Sequence, residues 1–329
     1  MPDFAEIIPA SYQNVSPGFL ETLIQARREE LFTGLMRLTF ISGEDFLAGF
    51  LEGTQQKLYH CHGAVSEVIP RQTWRETFGR GGASVGFLPL PLEAMRFVRV
   101  IHEVPVRQIE ETTINAEELA DAVAKWCRAQ DPGIIHIQGG QVDRYYLIAG
   151  TSTPVIEELS ILGGETRFSL NDASFPKTLP KLEYHVLRYL SEPGHDLWRE
   201  YELRLAFHPF MRMLLSRFGE LAGRVLTERL CEQMSTWASR EGWNVSLSSN
   251  GIVNRQYFDS LENATRFYVE LVERFSGEAR PALGVRMTEN ILQEILMKLD
   301  SYRRELLTRS ILPPRGAASE SGVAWRQNL

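Results

Sequence analysis

The tripeptide His60-Cys61-His62 is the local cluster of metal-ligating side chains in this chain. Successive side chains of a β-strand point to opposite faces, so we expect His60 and His62 on one face and Cys61 on the other. A zinc site needs three or four ligands, and the sequence has no second Cys/His pair at zinc-finger spacing. The two histidines are thus weak metal-ligand candidates, and we favour partly exposed histidines at a strand end, with no metal.

A glycine-rich loop, Gly79-Arg80-Gly81-Gly82, is the second candidate site. Glycines let backbone amides approach an anion, so Arg80, Gly81 and Gly82 form a candidate anion-binding or ligand-binding site. The loop lacks the Gly-Lys-Ser/Thr ending of a P-loop and is followed by an apolar run instead of a capped helix. A flexible connector is the competing interpretation.

Residue types that could support nucleophilic catalysis are scattered along the chain. No serine occurs in a Gly-x-Ser-x-Gly elbow. Cys127 and Cys231 have apolar neighbours and are typical of small buried hydrophobic residues. We therefore expect a protein with no catalytic residues and no cofactor, although the chain is long enough to contain an enzyme.

Composition narrows the class of protein further. The chain has 329 residues, of which 43% are hydrophobic and 23% charged, with a formal net charge of −7. This is ordinary globular composition for roughly two domains, and the acidic balance argues against extended nucleic-acid or anionic-membrane binding. Three cysteines far apart in the sequence favour a protein of the reducing cytoplasm over one with a disulfide framework. The sequence contains no run of about 18 apolar residues, so we expect no membrane span.

An α/β module is predicted over residues 1–110. Ser16 and Pro17 form a helix start signal, with a capping hydroxyl before a proline at the first helical position. Three β-type runs separated by turn residues follow, which is typical of hairpin-linked antiparallel strands. These runs are Leu35–Phe40, Phe46–Leu51 and Lys57–Cys61.

A second module, over residues 111–182, is predicted to repeat the first. A helix, a glycine, a strand, a turn and another strand recur in the same order, so that Gly133 corresponds to Gly34. Chance recurrence of a common unit is the alternative to a true repeat. Residues 163–181 concentrate Gly, Ser, Asn and Pro, and we interpret them as the boundary of this region.

The remaining chain is predicted to be a helical domain over residues 183–312, with a disordered tail over 313–329. An apolar stripe from Leu203 to Trp237 predicts one long helix, kinked or begun at Pro209. The predicted fold class is therefore α+β, an N-terminal α/β region with antiparallel β-meanders followed by a mostly helical C-terminal domain with one β-hairpin.

The hairpin is predicted over residues 243–254, with its turn at Asn250-Gly251. Trp243, Val245 and Leu247 alternate with polar residues, so one face is apolar and is expected to pack on the helices. The strand edge then remains for another chain. We therefore predict that this element contributes to a homodimer or to a complex with another protein.

Residues 31–67 carry a family resemblance. The residues that match are Phe32-Thr33-Gly34-Leu35-Met36-Arg37-Leu38, Ser42-Gly43-Glu44 and Phe50-Leu51-Glu52-Gly53. This pattern resembles that of the PATAN-type domains of bacterial signalling proteins. The resemblance implies a protein-interaction module of the kind attached to response regulators and small-GTPase circuits, with no catalytic residue.

Two functions remain open at this point. The first is a non-catalytic cytoplasmic regulatory or adaptor protein that acts through protein contacts. The alternative is a sensor that encloses a small molecule between the aromatic-rich segments Phe207–Phe218 and Phe267–Phe275. A deep cavity in the helical domain would favour the sensor, whereas a filled core with an exposed apolar patch would favour the adaptor.

Overall fold

The computed structural model describes residues 8–62, 65–128, 133–139, 142–148, 155–162, 165–172, 182–192, 194–254, 256, 258 and 260–312. The chain divides into two compact units, one of residues 1–150 and 154–195 and the other of residues 151–153 and 196–329. The predicted α+β class is confirmed, because antiparallel sheets come first and a mostly helical part with a small hairpin follows.

The first sheet is antiparallel throughout, in the order β1-β6-β2-β3-β4-β5. The predicted meander is the centre of this sheet, β2 to β4. The elements are β1 Tyr12–Val15, α1 Pro17–Glu29, β2 Gly34–Thr39, β3 Asp45–Leu51, β4 Thr54–His62, β5 Val65–Val68, a 3-10 turn Arg71–Thr73, α2 Trp74–Phe78, β6 Ala83–Pro89 and α3 Leu92–Glu103.

Helix α1 starts where the sequence signal placed it. The side chain of Ser16 accepts a hydrogen bond from the backbone N–H of Phe19 at 3.3 Å, and Pro17 occupies the first turn. The apolar face of α1, with Leu20 and Leu23, packs in the hydrophobic core formed by one face of the first sheet. Alternation along the strands therefore leaves the odd-numbered residues of β2 and β3, and Tyr59 and Cys61 of β4, for the other face.

The second sheet is also antiparallel, in the order β11-β10-β9-β8-β12-β7. Helix α4 is capped by Asn115, whose side-chain oxygen accepts from the backbone N–H of Glu117 and Glu118 at 3.0 and 2.9 Å. The elements are β7 Val106–Asn115, α4 Ala116–Arg128, β8 Gly133–Gly139, β9 Val142–Ile148, β10 Val155–Leu162, β11 Glu165–Asp172 and β12 Glu183–Ser191.

The two sheets have the same topology. If β7 to β12 are matched in chain order to β1 to β6, the strand orders of the sheets are identical and each first strand is followed by a helix. Gly34 and Gly133 begin the matching strands β2 and β8. A Cβ on Gly34 would lie 2.2 Å from the carbonyl oxygen of Leu88, and one on Gly133 would lie 2.1 Å from that of Tyr189. Both positions therefore need glycine for the same close backbone approach.

The sequence-based boundary of the N-terminal region requires correction. Within the predicted boundary, residues 163–181, Glu165–Asp172 is strand β11, paired along its length with β10. Strand β12 then pairs with β7 and β8, so the second sheet continues to Ser191 and the helical unit begins at Asp196, not at residue 183. The rest of the predicted boundary and the predicted tail 313–329 lie outside the described residues.

The helical unit contains two pairs of consecutive helices, with a glycine between the members of each pair and the predicted hairpin between the pairs. The long helix expected from Leu203 to Trp237 is instead two helices, because Gly223 has a φ of 85° and interrupts the chain between them. Pro209 lies inside the first of these helices, which continues through it. The elements are α5 Asp196–Ala222, α6 Arg224–Arg240, β13 Val245–Ser248, β14 Gly251–Asn254, α7 Leu261–Leu283, α8 Val285–Lys298 and α9 Ser301–Ser310.

The α5–α6 and α7–α8 junctions are alike. Gly223 and Gly284 have φ of 85° and 78° and precede α6 and α8 as their N-caps. Four residues later, the hydroxyls of Thr227 and Thr288 each donate to the carbonyl oxygen of the junction glycine at 2.9 Å. Only glycine adopts this left-handed conformation without strain, so the two sharp reversals have the same local cause.

Candidate functional site

The sequence-predicted histidines lie at the end of β4. His60 and His62 share one face, while the thiol of Cys61 is on the opposite face, 3.9 Å from the hydroxyl of Ser66. The rings of the two histidines are 3.7 Å apart between centroids. The predicted alternation of the tripeptide is therefore confirmed, and the two imidazoles are adjacent.

A third metal-ligating residue, Glu67, was missed in the sequence. It lies on β5 directly opposite His60, and one donor atom from each of His60, His62 and Glu67 lies within 4.8 Å of the others. The available signal was the short segment Val65-Ser66-Glu67-Val68, which has a β-branched residue at each end and forms a strand paired with the end of β4. Zinc-finger spacing involves histidine and cysteine alone and therefore does not indicate a glutamate.

The ring of His60 is held in a shielded position. It stacks on Phe46 with a centroid distance of 4.4 Å and an interplanar angle of 6°. Its Nε2 is shielded from solvent and makes no hydrogen bond, since Glu44 Oε1 is 3.9 Å away. Burial and the neighbouring His62 lower the pKa of His60, which favours the neutral imidazole.

The glycine-rich loop lies next to this cluster. The Arg80 guanidinium donates to Glu44 Oε2 at 3.0 Å and lies over the rings of Phe40 and Phe46. The backbone N–H of Arg80 and that of Gly82 donate to the carbonyl oxygens of Thr77 and Val15 at 3.3 and 3.1 Å. Anion binding by Arg80, Gly81 and Gly82 stays a prediction, and it would compete with these internal partners.

The opposite face of the first sheet carries a buried polar cluster under α3. His102 stacks on Tyr59 and its Nδ1 lies 2.7 Å from the Ser66 hydroxyl. Glu103 on the same helix accepts from the Tyr59 hydroxyl at 2.9 Å and pairs with Arg99 at 3.3 Å. Burial lowers the pKa of His102 to about 3, so this imidazole is a very weak base. The Ser66–His102 pair is thus suited to a structural role and not to activating a nucleophile.

The cysteine side chains that the structure describes, Cys61 and Cys231, are both buried. Burial raises the pKa of Cys231 to about 11, which keeps its sulfur protonated and unreactive at neutral pH. The side chain of Cys127 lies outside the described part of the chain.

The hairpin residues proposed for interaction belong to the core of the helical unit. Val245 and Leu247 are 7% and 8% exposed, and Trp243 packs on Phe267 with a ring distance of 5.0 Å. Their packing on the helices is as expected from the alternation. The outer edge of β13 is already used once, because the N–H of Leu247 donates to the Ser235 hydroxyl on α6 at 2.9 Å. Association through this edge stays a prediction.

A groove of ≈ 390 Å³ lies on the helical unit, at the end where the glycine junctions are. Its lining combines apolar and polar side chains of α5, α6 and α7. These are Phe218, Leu226, Arg229, Leu230, Gln233, Glu278, Pro281 and Ala282. Exposed apolar side chains flank both junctions, namely Leu221, Val225, Val285 and Met287. This surface was not foreseen, because the sequence pattern predicted an unbroken helix across it.

The chain matches no protein-family model, and no curated protein or solved structure resembles it at a significant level. None of the described helices combines the length and the apolar character that a bilayer crossing requires.

Proposed function

We propose that this chain is a non-catalytic regulatory or adaptor protein of a bacterial signalling system, and that it acts through protein–protein contacts in the cytoplasm. The observation that supports this most is the groove of the helical unit with the exposed apolar side chains beside it. The resemblance of residues 31–67 to PATAN-type domains supports the same class of function. Apolar side chains gathered on a surface are typical of a binding site.

The interior of the helical unit favours this proposal over a small-molecule sensor. Phe207 packs on Tyr268 with a ring distance of 4.2 Å, and Phe218 packs on Phe275 at 6.0 Å. All four rings are fully buried. In the described residues, the space between the two aromatic segments is thus occupied by their own side chains, where the sensor hypothesis needs an enclosed ligand cavity.

The groove has the layout of a protein interface. Phe218 and Leu230 form a buried apolar floor, and Arg229 with Glu278 supplies polar groups at its sides. An apolar centre with a polar surround is the usual anatomy of such a surface. We infer that the partner inserts apolar side chains of a helix, since shallow grooves between helices are commonly filled in this way.

The exposed side chain of Val225 provides a measure of the gain on binding. It is 78% exposed at the start of α6, next to Leu226, which is 41% exposed and lines the groove. Fully burying an aliphatic side chain of this size contributes roughly 1.5–3 kcal/mol. A partner that covers both would therefore gain a substantial part of its binding free energy from this junction.

Site-specific photo-crosslinking in the native cell tests the proposal. A photoreactive amino acid in place of Leu226 or Val225 in the full-length chain is expected to give a discrete adduct, which mass spectrometry identifies. The same amino acid in place of Ile41 is the control, because Ile41 is 87% exposed but belongs to the other unit. An adduct with a second copy of this chain would identify the homodimer as the relevant complex.

A second variant separates specific binding from chance contact. Ala282→Arg places a long charged side chain at an exposed position of the groove lining and is expected to abolish the adduct formed from Val225. Ser239→Arg adds the same charge at an exposed position of α6 outside the groove lining and should leave the adduct unchanged. Equal yields from the Ile41 and Val225 positions, or no adduct at either groove position, would contradict the proposal.

A further inference from the structure

We infer that His60, His62 and Glu67 form a binding site for a divalent transition-metal ion, with Zn²⁺ as the best-matched example. One ring nitrogen of each histidine and one carboxylate oxygen of Glu67 lie within 4.8 Å of one another. The site belongs to the N-terminal unit and uses none of the residues on which the proposed protein contact depends.

The backbone brings the three donors together. His60 and Glu67 are directly opposite partners in the β4–β5 pairing, and His62 is two residues after His60 on the same strand. Side chains two apart on one strand, and those directly opposite on the next, project from the same face of a sheet. The convergence therefore follows from the register, and a bound ion requires no change in strand pairing.

The donors need only small side-chain movements to reach bonding distance. Zinc bonds of about 2.0–2.2 Å to nitrogen and oxygen in a tetrahedron place neighbouring donors about 3.4 Å apart. His62 and Glu67 are exposed and can close this difference by rotation. His60 is already fixed by its stacking on Phe46, so it supplies a preorganised ligand about which the other two assemble.

The Nε2 atom of His60 is a second, independent observation. It is shielded from solvent and has no hydrogen-bond partner, and the nearest carboxylate oxygen, on Glu44, is 3.9 Å away. A buried polar atom left without a partner costs free energy, so native proteins rarely keep one without a reason. A metal ion bound through this nitrogen would satisfy it, and the Glu44 carboxylate is near enough to complete or support the coordination.

The donor set selects the class of ion. Imidazole nitrogen suits Zn²⁺ and its first-row neighbours, whereas Ca²⁺ and Mg²⁺ prefer sites made of oxygen ligands. Two histidines and one carboxylate, with a fourth position left for water or Glu44, therefore favour Zn²⁺ over the abundant alkaline-earth ions. The bound ion would cross-link the short strand β5, Val65–Val68, to β4 and fix this side of the first sheet.

Calorimetric titration with Zn²⁺ of the untagged, EDTA-treated full chain tests the inference. The wild type is expected to bind one equivalent. Glu67→Gln and His62→Ala are each expected to weaken binding about tenfold or more, and their exposed positions allow both variants to fold. Millimolar Mg²⁺ should leave Zn²⁺ binding unchanged, and equal competition by Mg²⁺ would overturn the assignment to a transition metal.

His185 provides the matched control. Its Nε2 lies 3.0 Å from Glu111 Oε1 across two strands of the second sheet, so it is an exposed histidine–glutamate pair without the second histidine. His185→Ala is expected to bind Zn²⁺ as the wild type does. A wild type that binds no Zn²⁺, or binding that survives both Glu67→Gln and His62→Ala, would refute the site.

Discussion

The two sheets of the N-terminal unit share a strand order and differ in their chemistry. Their registers can be compared position by position, because Gly34 and Gly133 begin matching strands. Gly34 pairs with Phe50, and Gly133 pairs with Ile148. In the first sheet, Phe46 and Glu67 flank His60 on the neighbouring strands.

The matching positions of the second sheet hold other residue types. There Ser160 takes the place of His60, and its neighbours on the adjacent strands are Arg144 and Arg167. Leu162 matches His62. None of the residues at the three ligand positions is a usual metal ligand. The backbone arrangement is thus common to both sheets, whereas a candidate site depends on a few side chains that one copy has and the other lacks.

The largest expected effect tests what the sheets share. Gly34→Ala and Gly133→Ala each place a Cβ within 2.2 Å of a backbone carbonyl oxygen. The paired strands must move apart to relieve this clash. We expect each to destabilise the unit by about 3 kcal/mol or more, since overpacking against backbone cannot be relieved by a rotamer change. Scanning calorimetry should show a fall in melting temperature of about 6–12 °C.

Gly18→Ala is the control for these substitutions. Gly18 is an exposed residue of α1, and a Cβ there would meet no atom within 4 Å. Alanine is the better helix former, so this change should leave the melting temperature equal or slightly higher. If Gly133→Ala behaved like Gly18→Ala while Gly34→Ala did not, the structural equivalence of the two glycines would be wrong.

The next largest effect is the pH dependence of stability that buried His102 gives to the first sheet. The pKa of buried His102 is lowered to about 3, whereas an unfolded histidine titrates near 6.5. Between these values the unfolded chain binds a proton that the folded chain does not, so stability falls as pH drops below about 6.5. Below about pH 6.5, one such group lowers the free energy of unfolding by about 1.4 kcal/mol per pH unit, and above pH 6.5 it adds no pH dependence.

Denaturant unfolding between pH 4 and pH 7 measures this contribution. In His102→Gln, the slope of the unfolding free energy against pH is expected to fall by the amount that corresponds to about one bound proton. Ser66→Ala removes the hydrogen-bonding partner but keeps His102 buried, so it should lower stability at every pH by about 1 kcal/mol with the slope retained. An unchanged slope in His102→Gln would show that the histidine is not held neutral.

The smallest effect concerns Arg80, beside the candidate ligands of the first sheet. Its guanidinium lies 3.0 Å from Glu44 Oε2, so it both repels a cation at His60 and occupies a nearby carboxylate. Arg80→Ala is expected to tighten Zn²⁺ binding about threefold to tenfold, as the removal of one nearby charge in partly screened surroundings implies. Arg75→Ala, which changes the same charge on α2, is the comparison in the titration, and a weaker Zn²⁺ affinity in Arg80→Ala would show that Arg80 supports the site instead.

Local signals predicted much of the fold. The helix cap at Ser16 is formed as expected, because it depends on residues within a few positions of one another. The predicted hairpin is also formed, but its turn is Ser249-Asn250 and not Asn250-Gly251, since Gly251 already pairs with Ser248. The alternation in His60-Cys61-His62 and the burial of Val245 and Leu247 are likewise properties of a single strand. Such patterns can be interpreted without knowing the partner strand.

What the sequence did not predict depends on distant pairing or on one dihedral angle. Strand β11 and strand β12 were obscured by turn-forming residues between them, and the pairing of β12 with β7 joins segments far apart in the chain. Gly223 interrupts a helical stripe that shows no change in apolar spacing. Glu67 became a candidate ligand through the β4–β5 register, which places it directly opposite His60.

The strand order also has a consequence for how the chain folds during synthesis. In each sheet the last strand made, β6 or β12, inserts between the first strand and the second, and among the described strands the first has no other partner. The first strand of each sheet therefore pairs only after the last strand has been made. Tyr12 of β1 pairs with Val85 of β6, and Asn115 of β7 pairs with Glu183 of β12. Such non-local pairing slows folding and leaves strand edges open to other chains in the meantime. Each half of the N-terminal unit is thus most vulnerable to aggregation just before its final strand leaves the ribosome.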